Sequence, residues 1–253
     1  MILHASGAEP PGARDEQSAG AAVQSMFNRI APRYDLLNHV LSANVDRIWW
    51  RRTARNFTPI LRDPAAQILD MCCGTGDMTL ALLRYRPASA TPVLALDFAH
   101  SMLARAQEKF TARGFTSPQV RTIEADALHM PIANHSIDLI TTAFGFRNLA
   151  NYQAGLREMH RVLRAGGQIG ILDFGEPKGM FGSLYRMYFR NILPRIGNML
   201  SGSAASYEYL PRSVQRFPAP EEMLALMQAC GFSQPTWTPF TFGIAGLYRA
   251  VKA

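Results

Sequence analysis

The clearest chemical signal in the sequence is a loop with two glycines that follows a short apolar run. The loop covers residues 69–77 and has the sequence LDMCCGTGD. Glycines at this spacing allow backbone amides to approach a ligand closely at the carboxyl end of a strand, where open α/β sheets bind cofactors. The candidate cofactor-binding residues of the loop are Asp70, Gly74, Thr75 and Gly76.

Further acidic residues follow the next two β-like runs of the chain. Asp97 ends the second run, 21 residues after Gly76, a spacing suited to accepting hydrogen bonds from ribose hydroxyls. Asp126, with Ala127 beside it, follows the third run and could accept a hydrogen bond from an adenine amino group. Acids after three successive strands therefore predict a site for an adenosyl ligand.

Two kinds of adenosine-containing cofactor are compatible with this arrangement, a nicotinamide dinucleotide and S-adenosylmethionine. The dinucleotide fingerprint would place a third glycine at Thr79, and Asp77 near the helix start would repel a pyrophosphate. S-adenosylmethionine carries no phosphate, and its sulfonium and ammonium groups suit a loop flanked by Asp70 and Asp77. The pattern favours S-adenosylmethionine.

The alternation of apolar runs along the chain indicates an α/β fold. Five β-like runs separated by helical periodicity predict a parallel sheet with helices on both faces. The final two runs are separated only by Gly243, too close for a helical crossover, so we expect an antiparallel edge hairpin. The runs are Ile68–Met71, Val93–Asp97, Val120–Glu124, Ile137–Phe144, Gln168–Phe174, Thr236–Phe242 and Ile244–Val251.

Length and composition predict one domain with a short leader. A chain of 253 residues with 48% hydrophobic content supports a single large core. Residues 1–22 mix Gly, Ala, Pro and Ser without an apolar period and are expected to form a mobile leader. Residues 23–253 then form the domain, beginning with a helical cap at 23–60 over the strand ends.

The sequence shows no signal for export, membrane insertion or metal binding. It has neither the basic start and apolar core of a secretory signal nor an uncharged apolar run of spanning length. Its three cysteines and six histidines have no metal-ligand spacing. We expect a cytoplasmic protein with reduced thiols and no metal.

The net charge of +7 raises the question of an anionic partner. The segment 177–207 has no Asp or Glu and interleaves Lys and Arg with apolar and aromatic residues. Such a segment is typical of a helix that docks on an anionic membrane, and equally of an amphipathic helix covering a pocket. A nucleic-acid-binding module would also be basic, but it gives no reason for acids at three strand ends.

Several motifs follow one another along the chain: FNRIA and YDLLNHVLS within residues 27–42, FGFRN at 144–148, YLPRS and RFP within 209–218, and GIA at 243–245. Together they resemble the class I methyltransferases that C-methylate quinones in menaquinone and ubiquinone biosynthesis. The resemblance runs from about Val23 to Lys252 and implies a Rossmann-like seven-stranded sheet, mostly parallel, with an antiparallel C-terminal hairpin. It also implies that residues 175–217 are an insertion covering the acceptor pocket.

The resemblance implies C-methylation of a polyprenyl quinol, with demethylmenaquinol as the expected acceptor. A ubiquinone precursor, 2-polyprenyl-6-methoxy-benzoquinol, or another small phenol is the alternative. Attack by a ring carbon requires removal of a hydroxyl proton and stabilisation of the phenolate. Arg147, with Asn148 to orient it, is expected to stabilise that charge, and Asp35 or an activated water to accept the proton. Tyr34 and Asn38 could contact the acceptor ring.

An isoprenoid acceptor also has consequences for partners. It predicts that the enzyme works at the inner face of the cytoplasmic membrane, with contact through residues 177–207. A homodimer is a possible assembly, and nucleic acid is not expected as a partner.

Overall fold

The computed structural model describes residues 7–10, 12–35, 44–175, 177 and 212–253. Its centre is one seven-stranded sheet, and the strand bounds are β1 Ile68–Met71, β2 Val93–Asp97, β3 Val120–Glu124, β4 Ile137–Ala143, β5 Leu163–Phe174, β6 Phe232–Phe240 and β7 Ala245–Lys252. The strand order is β3-β2-β1-β4-β5-β7-β6. Strand order reverses beside β1, so a crevice opens at the carboxyl ends of β1, β2 and β4.

Helices pack on both faces of this sheet. Their bounds are α1 Glu16–Ile30, α2 Asp46–Asn56, α3 Thr58–Arg62, α4 Asp77–Leu83, α5 His100–Ala112, α6 Tyr152–Val162 and α7 Pro220–Ala229. One apolar cluster joins α2, α4 and α5 to one face, and a second joins α6 and α7 to the other. None of the helices in the described part of the chain combines the length and apolar character needed to cross a bilayer.

The predicted fold class is confirmed. Strand β1 pairs in parallel with β2 and β4, whereas β7 lies between β5 and β6 and is antiparallel to both. The hairpin is longer than predicted, because β6 begins at Phe232 and a short 3-10 turn at Thr241–Gly243 joins it to β7. Strand β5 also begins five residues early, at Leu163, which pairs with Ile137 before a register shift.

The predicted leader over residues 1–22 is wrong at its C-terminal end, because α1 begins at Glu16. A capping box sets this start: the Asp15 carboxylate accepts a hydrogen bond from Ser18 N at 2.7 Å, and Ser18 Oγ accepts from Asp15 N at 3.1 Å. Gln24 Nε2 then donates to the Phe98 carbonyl at 2.6 Å. The buried residues of α1 are spaced by helical turns and are Ala19, Val23 and Met26.

Candidate active site

The glycine loop begins at a buried acid at the end of β1. Asp70 is fully buried and accepts hydrogen bonds from Thr79 Oγ1 at 2.6 Å and Thr141 Oγ1 at 3.0 Å. Burial raises the pKa of Asp70 to about 7, because desolvation outweighs the lowering effect of the two hydroxyls. The site therefore contains a carboxyl group that ionises near neutral pH.

The two glycines of the loop are required for different physical reasons. Both have positive φ, +54° at Gly74 and +86° at Gly76. A Cβ at Gly74 would meet nothing within 4 Å, so the backbone there faces open space. A Cβ at Gly76 would lie 2.5 Å from the ring of Phe110, so close packing against α5 excludes a side chain there.

Asp97 closes the loop from the neighbouring strand. It ends β2, and its Oδ2 accepts a hydrogen bond from Gly74 N at 2.8 Å while Oδ1 accepts from Ala99 N at 2.9 Å. Asp97 is only 7% exposed, and burial raises its pKa to about 6 against the opposing effect of the backbone donors. The structure thus brings Asp97 to the glycine loop, as its position in the sequence predicts.

The third predicted acid lies on the same crevice. Asp126 follows β3, and Oδ1 of its half-exposed side chain accepts from Leu128 N at 2.9 Å. Ala127 beside it is buried, and both residues line a cavity of about 470 Å³ that also reaches Gly74, Thr75 and Asp97. The predicted adenosyl-binding residues Asp97, Asp126 and Ala127 therefore share one cavity with the glycine loop.

The cavity wall has a marked charge bias. Among the described residues that line it, five are acidic and none is Lys, Arg or His. A phosphate ligand would meet repulsion there, whereas a cation is favoured. The volume suits a small-molecule ligand, and the residues present therefore fit S-adenosylmethionine. The five acids are Glu16, Asp77, Asp97, Glu124 and Asp126.

Helix α1 forms a wall of the cavity, and the sequence interpretation missed its first half, since the predicted cap began only at residue 23. Its lining residues include Gln17, Gly20, Gln24 and Phe27, the first two inside the predicted leader. The capping pair Asp15 and Ser18, followed by apolar residues at helical spacing, is the signal that identifies this helix. Tyr34, a predicted acceptor-binding residue, also lines the cavity, and its ring meets that of Phe27 with centroids 6.0 Å apart.

A charged cluster holds Asp35 beside the glycine loop. Asp35 Oδ1 accepts a hydrogen bond from Thr75 Oγ1 at 2.5 Å. Lys109 Nζ, on α5, lies 2.7 Å from Asp35 Oδ2 and 3.1 Å from both Asp77 Oδ2 and Thr75 Oγ1. Lys109 was missed from the sequence because nothing in the periodicity of α5 separates it from an ordinary surface lysine.

The two predicted catalytic residues after β4, Arg147 and Asn148, lie on different sides of the cavity wall. Asn148 lines the cavity, and its side chain donates to the Phe144 carbonyl at 3.2 Å. Arg147 is only 5% exposed and is not among the described residues that line the cavity. Its guanidinium donates to the Phe144 carbonyl and lies 5.0 Å from the centroid of the Phe174 ring.

A buried partner that the sequence interpretation missed fixes Arg147. Asp173 Oδ1 accepts from the Arg147 guanidinium at 2.9 Å, and Oδ2 accepts from the Arg147 backbone N at 3.1 Å. Asp173 is fully buried at the end of β5, so the two charges compensate each other inside the protein. This pair fixes the loop that carries Asn148.

The ubiE/COQ5 methyltransferase family model matches residues 14–252. The chain belongs to this family. It is 44% identical to a demethylmenaquinone methyltransferase of Deinococcus radiodurans over 96% of this chain and 97% of that protein. It is 46% identical to a demethylmenaquinone methyltransferase of Thermus thermophilus over 88% of this chain and 98% of that protein.

A solved structure with low sequence identity has the same fold. A putative S-adenosyl-L-methionine-dependent methyltransferase from Methanococcus maripaludis superposes with a TM-score of 0.58 at 18% identity, covering 97% of each chain. Membership of the ubiE/COQ5 family confirms three predictions: the family, a methyltransferase activity, and S-adenosylmethionine as the methyl donor.

Some predicted features of this family member lie outside the described residues. They include Asn38, the candidate acceptor contact, and nearly all of the predicted insertion at 175–217 with its basic segment 177–207. Within the predicted cap at 23–60, the described parts are the end of α1, the 3-10 turn Ala31–Arg33, α2 and α3. The roles assigned to individual site residues remain predictions.

Proposed function

We propose that the enzyme transfers the methyl group of S-adenosylmethionine to a ring carbon of demethylmenaquinol, forming menaquinol. The observation that carries the proposal is the cavity at the strand ends, beside the Phe144–Asn148 loop, whose described lining is acidic and includes no Lys, Arg or His. The choice of acceptor is supported by the Deinococcus and Thermus relatives, both named demethylmenaquinone methyltransferase.

On the donor side, we assign Asp97 to the ribose hydroxyls and Asp126 with Ala127 to the adenine. Gly74, Thr75 and Gly76 would let the loop backbone approach the amino-acid end closely, and Asp70 would add negative charge behind them. When bound, S-adenosylmethionine supplies an electrophilic methyl group on a cationic sulfur. Ionised Asp70 and Asp97 would balance that positive charge in a low-dielectric site.

On the acceptor side, aromatic rings of the wall suit a flat naphthoquinol. Phe144 and Tyr34 line the cavity and offer faces or edges for ring packing. Asn148, on the same wall, would hydrogen-bond the acceptor oxygen on which negative charge develops. Arg147 would stabilise that charge from behind the wall while it holds the loop in place.

The quinol hydroxyl must also lose its proton. Arginine stays charged in proteins, so Arg147 does not serve as the base. Asp35 is the proposed acceptor, directly or through a water, and it lies next to Tyr34 on the segment after α1. Both of its carboxylate oxygens are already engaged, by Thr75 Oγ1 and Lys109 Nζ, so Lys109 would control its position.

Location and assembly follow as part of the proposal. A polyprenyl acceptor is dissolved in the bilayer, so we propose that the enzyme acts at the inner face of the cytoplasmic membrane. Contact through residues 177–207 and a homodimer are retained as proposals.

Lipid analysis of a deletion strain tests the proposed reaction. Loss of the gene should cause demethylmenaquinone to accumulate, and expression of the wild-type chain should restore menaquinone. An Asp97→Ala chain, matched for expression, should fail to restore it. A normal menaquinone profile in the deletion strain would contradict the proposal, whereas accumulation of 2-polyprenyl-6-methoxy-benzoquinol would indicate the alternative acceptor.

A further inference from the structure

Helix α2 presents a basic face to solvent. Its buried residues are Asp46, Trp49, Trp50, Thr53 and Ala54. Its exposed residues are Arg47, Ile48, Arg51, Arg52, Arg55 and Asn56. The single acid of the helix, Asp46, is only 3% exposed, so the outward face of α2 carries four arginines and no carboxylate.

The turn between β6 and β7 adjoins this face. Trp49 Nε1 donates to Thr241 Oγ1 at 2.8 Å, and the Arg52 guanidinium lies 4.4 Å from the centroid of the Phe240 ring. Three successive residues of the turn, 241–243, have positive φ values of 46°, 57° and 89°. The middle one, Phe242, is 73% exposed. A strained turn thus holds an aromatic side chain outward beside the arginines.

In the part of the chain that the structure describes, two large apolar side chains are exposed and the others are buried or half-buried. The two that are exposed are Phe242 and Ile48, which is 51% exposed. They lie on the two segments that the Trp49–Thr241 hydrogen bond joins. We call the surface formed by Arg47, Ile48, Arg51, Arg52, Arg55 and Phe242 the α2 patch.

The α2 patch lies close to the acceptor side of the cavity. The Trp49 ring, on the inner face of α2, lies 5.8 Å from the Phe144 ring and 6.3 Å from the Phe174 ring, centroid to centroid. Phe144 itself lines the cavity. One layer of aromatic side chains therefore separates the patch from the proposed acceptor pocket.

We propose that the α2 patch docks the enzyme on the surface of an anionic phospholipid bilayer. Arginines would pair with lipid phosphates, while Ile48 and Phe242 would enter the boundary between headgroups and acyl chains. An acidic protein or a nucleic acid would also pair with the arginines, but neither explains why the patch adjoins the acceptor side of the cavity. The inference rests on the proposed function, because a bilayer-dissolved acceptor explains why the patch adjoins the acceptor side.

Vesicle sedimentation with the full-length enzyme tests the docking. Vesicles of phosphatidylcholine mixed with phosphatidylglycerol should bind the enzyme in a salt-sensitive manner, and vesicles of phosphatidylcholine alone should bind it weakly. Each arginine removed from the patch should lower the affinity about fivefold, so Arg47→Gln/Arg51→Gln should lower it about 25-fold. Ile48→Ser/Phe242→Ser should weaken binding even at low salt.

A matched control keeps the charge change but moves it off the patch. Arg84→Gln/Arg113→Gln alters two exposed arginines at the ends of α4 and α5 and should bind vesicles like the wild type. Thermal unfolding of all three variants should match the wild type, because each substitution is on the surface. Equal loss of vesicle binding in the control and patch variants would overturn the proposal.

Turnover separates failure of the docking from failure of the proposed function. Patch variants should lose activity on long-chain demethylmenaquinol embedded in anionic vesicles but keep it on a water-soluble short-chain analogue. Unchanged vesicle turnover in the patch variants would reject the docking surface alone, whereas no methylation of either acceptor by the wild type would reject the proposed function. Salt-sensitive binding to a labelled single-stranded RNA, abolished by the same variants without vesicle binding, would reject the bilayer as partner.

Discussion

Lys109 Nζ lies 2.7 Å from Asp35 Oδ2 and forms the ion pair that ties the segment after α1 to the glycine loop. The same ammonium group lies 3.1 Å from Asp77 Oδ2, so one cation on α5 serves two carboxylates beside the cofactor cavity. Both pairs are largely shielded from solvent, with the Lys109 side chain 18% exposed. Lys109 thereby links the proposed proton acceptor to the loop that is proposed to hold the methyl donor.

Substitution of this lysine should impair catalysis more than stability. In Lys109→Met, Asp35 and Asp77 would repel each other without an intervening cation, and Asp35 would leave its position beside Thr75. We expect kcat/KM to fall about tenfold or more, as for loss of charge-assisted hydrogen bonds. Steady-state kinetics would measure this. Lys109→Arg should retain most activity. Wild-type kinetics in Lys109→Met would show that the ion pair has no part in catalysis.

Cofactor binding should depend on pH through Asp70 and Asp97. Burial raises their pKa values to about 7 and about 6, so both groups are partly protonated in slightly acidic solution. Affinity for S-adenosylmethionine should rise from about pH 5 to about pH 7.5 as they ionise, and binding near pH 6.5 should release protons. Calorimetry in two buffers of different ionisation enthalpy measures that release, which Asp70→Asn should reduce.

The ligand-free protein and an uncharged-sulfur ligand provide controls for this pH effect. Without ligand, folded Asp70 binds a proton at pH values where the unfolded chain, with the ordinary value of 3.8, is already ionised. The contribution of Asp70 to the free energy of unfolding should therefore decrease as pH rises from about 4 to about 7, and the difference between the wild type and Asp70→Asn over this range should show it. S-adenosylhomocysteine should show a weaker pH dependence than S-adenosylmethionine. A pH-independent affinity for both ligands would argue against ionisation of these acids in the site.

The two residues of the buried Arg147–Asp173 pair should have coupled effects on the free energy of unfolding. Removing one charge in Arg147→Met or Asp173→Asn leaves the other buried without compensation and should cost about 3 to 5 kcal/mol of unfolding free energy. The double variant should lose less than the sum of the two single variants. Urea unfolding measures this coupling, and strictly additive losses would show that the two side chains act separately.

The activity of these variants distinguishes positioning from cofactor binding. All three should show reduced turnover, because the loop that carries Asn148 loses its anchor, while the dissociation constant for S-adenosylmethionine should change little. A large loss of cofactor affinity would place the pair on the donor side instead.

The two glycines of the loop should respond differently to the same substitution. Gly76→Ala places a Cβ against the Phe110 ring at 2.5 Å and should lower thermal stability strongly. Gly74→Ala meets no neighbour within 4 Å, so its stability loss should be limited to about 1 to 2 kcal/mol for a left-handed alanine. Its main effect should be weaker cofactor binding, measured by calorimetry. Equal stability losses in the two variants would be inconsistent with the packing described.

Much of the fold was predictable because the spacing of apolar residues and the positions of turn residues agree with the observed strands and helices. Buried parallel strands such as β1 and β2 are short apolar runs, and their bounds match the prediction at both ends. The predicted start of helix α1 lies too late in the chain, because small residues such as Ala19 and Gly20 are typical of a flexible leader. Asp15 and Ser18 nevertheless signal a helix start. The prediction followed the Gly- and Ala-rich composition of this segment, whereas the capping box of Asp15 and Ser18 sets the observed start of the helix.

The site was predictable where its residues sit at strand ends and less so where contacts come from distant parts of the chain. Asp97 and Gly74 are 23 residues apart, yet each follows a strand of the same parallel pair, so topology places them together. Lys109 and Asp173 gain their roles from long-range ion pairs. No local pattern marks such partners, which depend on side-chain packing across elements.

Methyl transfer by the purified enzyme tests the central claim most directly. Reduced demethylmenaquinol and 2-polyprenyl-6-methoxy-benzoquinol should be offered in parallel with S-adenosylmethionine labelled in its methyl group, with Asp97→Ala as the matched blank. We predict saturable transfer of label to demethylmenaquinol that far exceeds transfer to the benzoquinol. Label that appears only in the benzoquinol, or in neither quinol above the blank, would contradict the account.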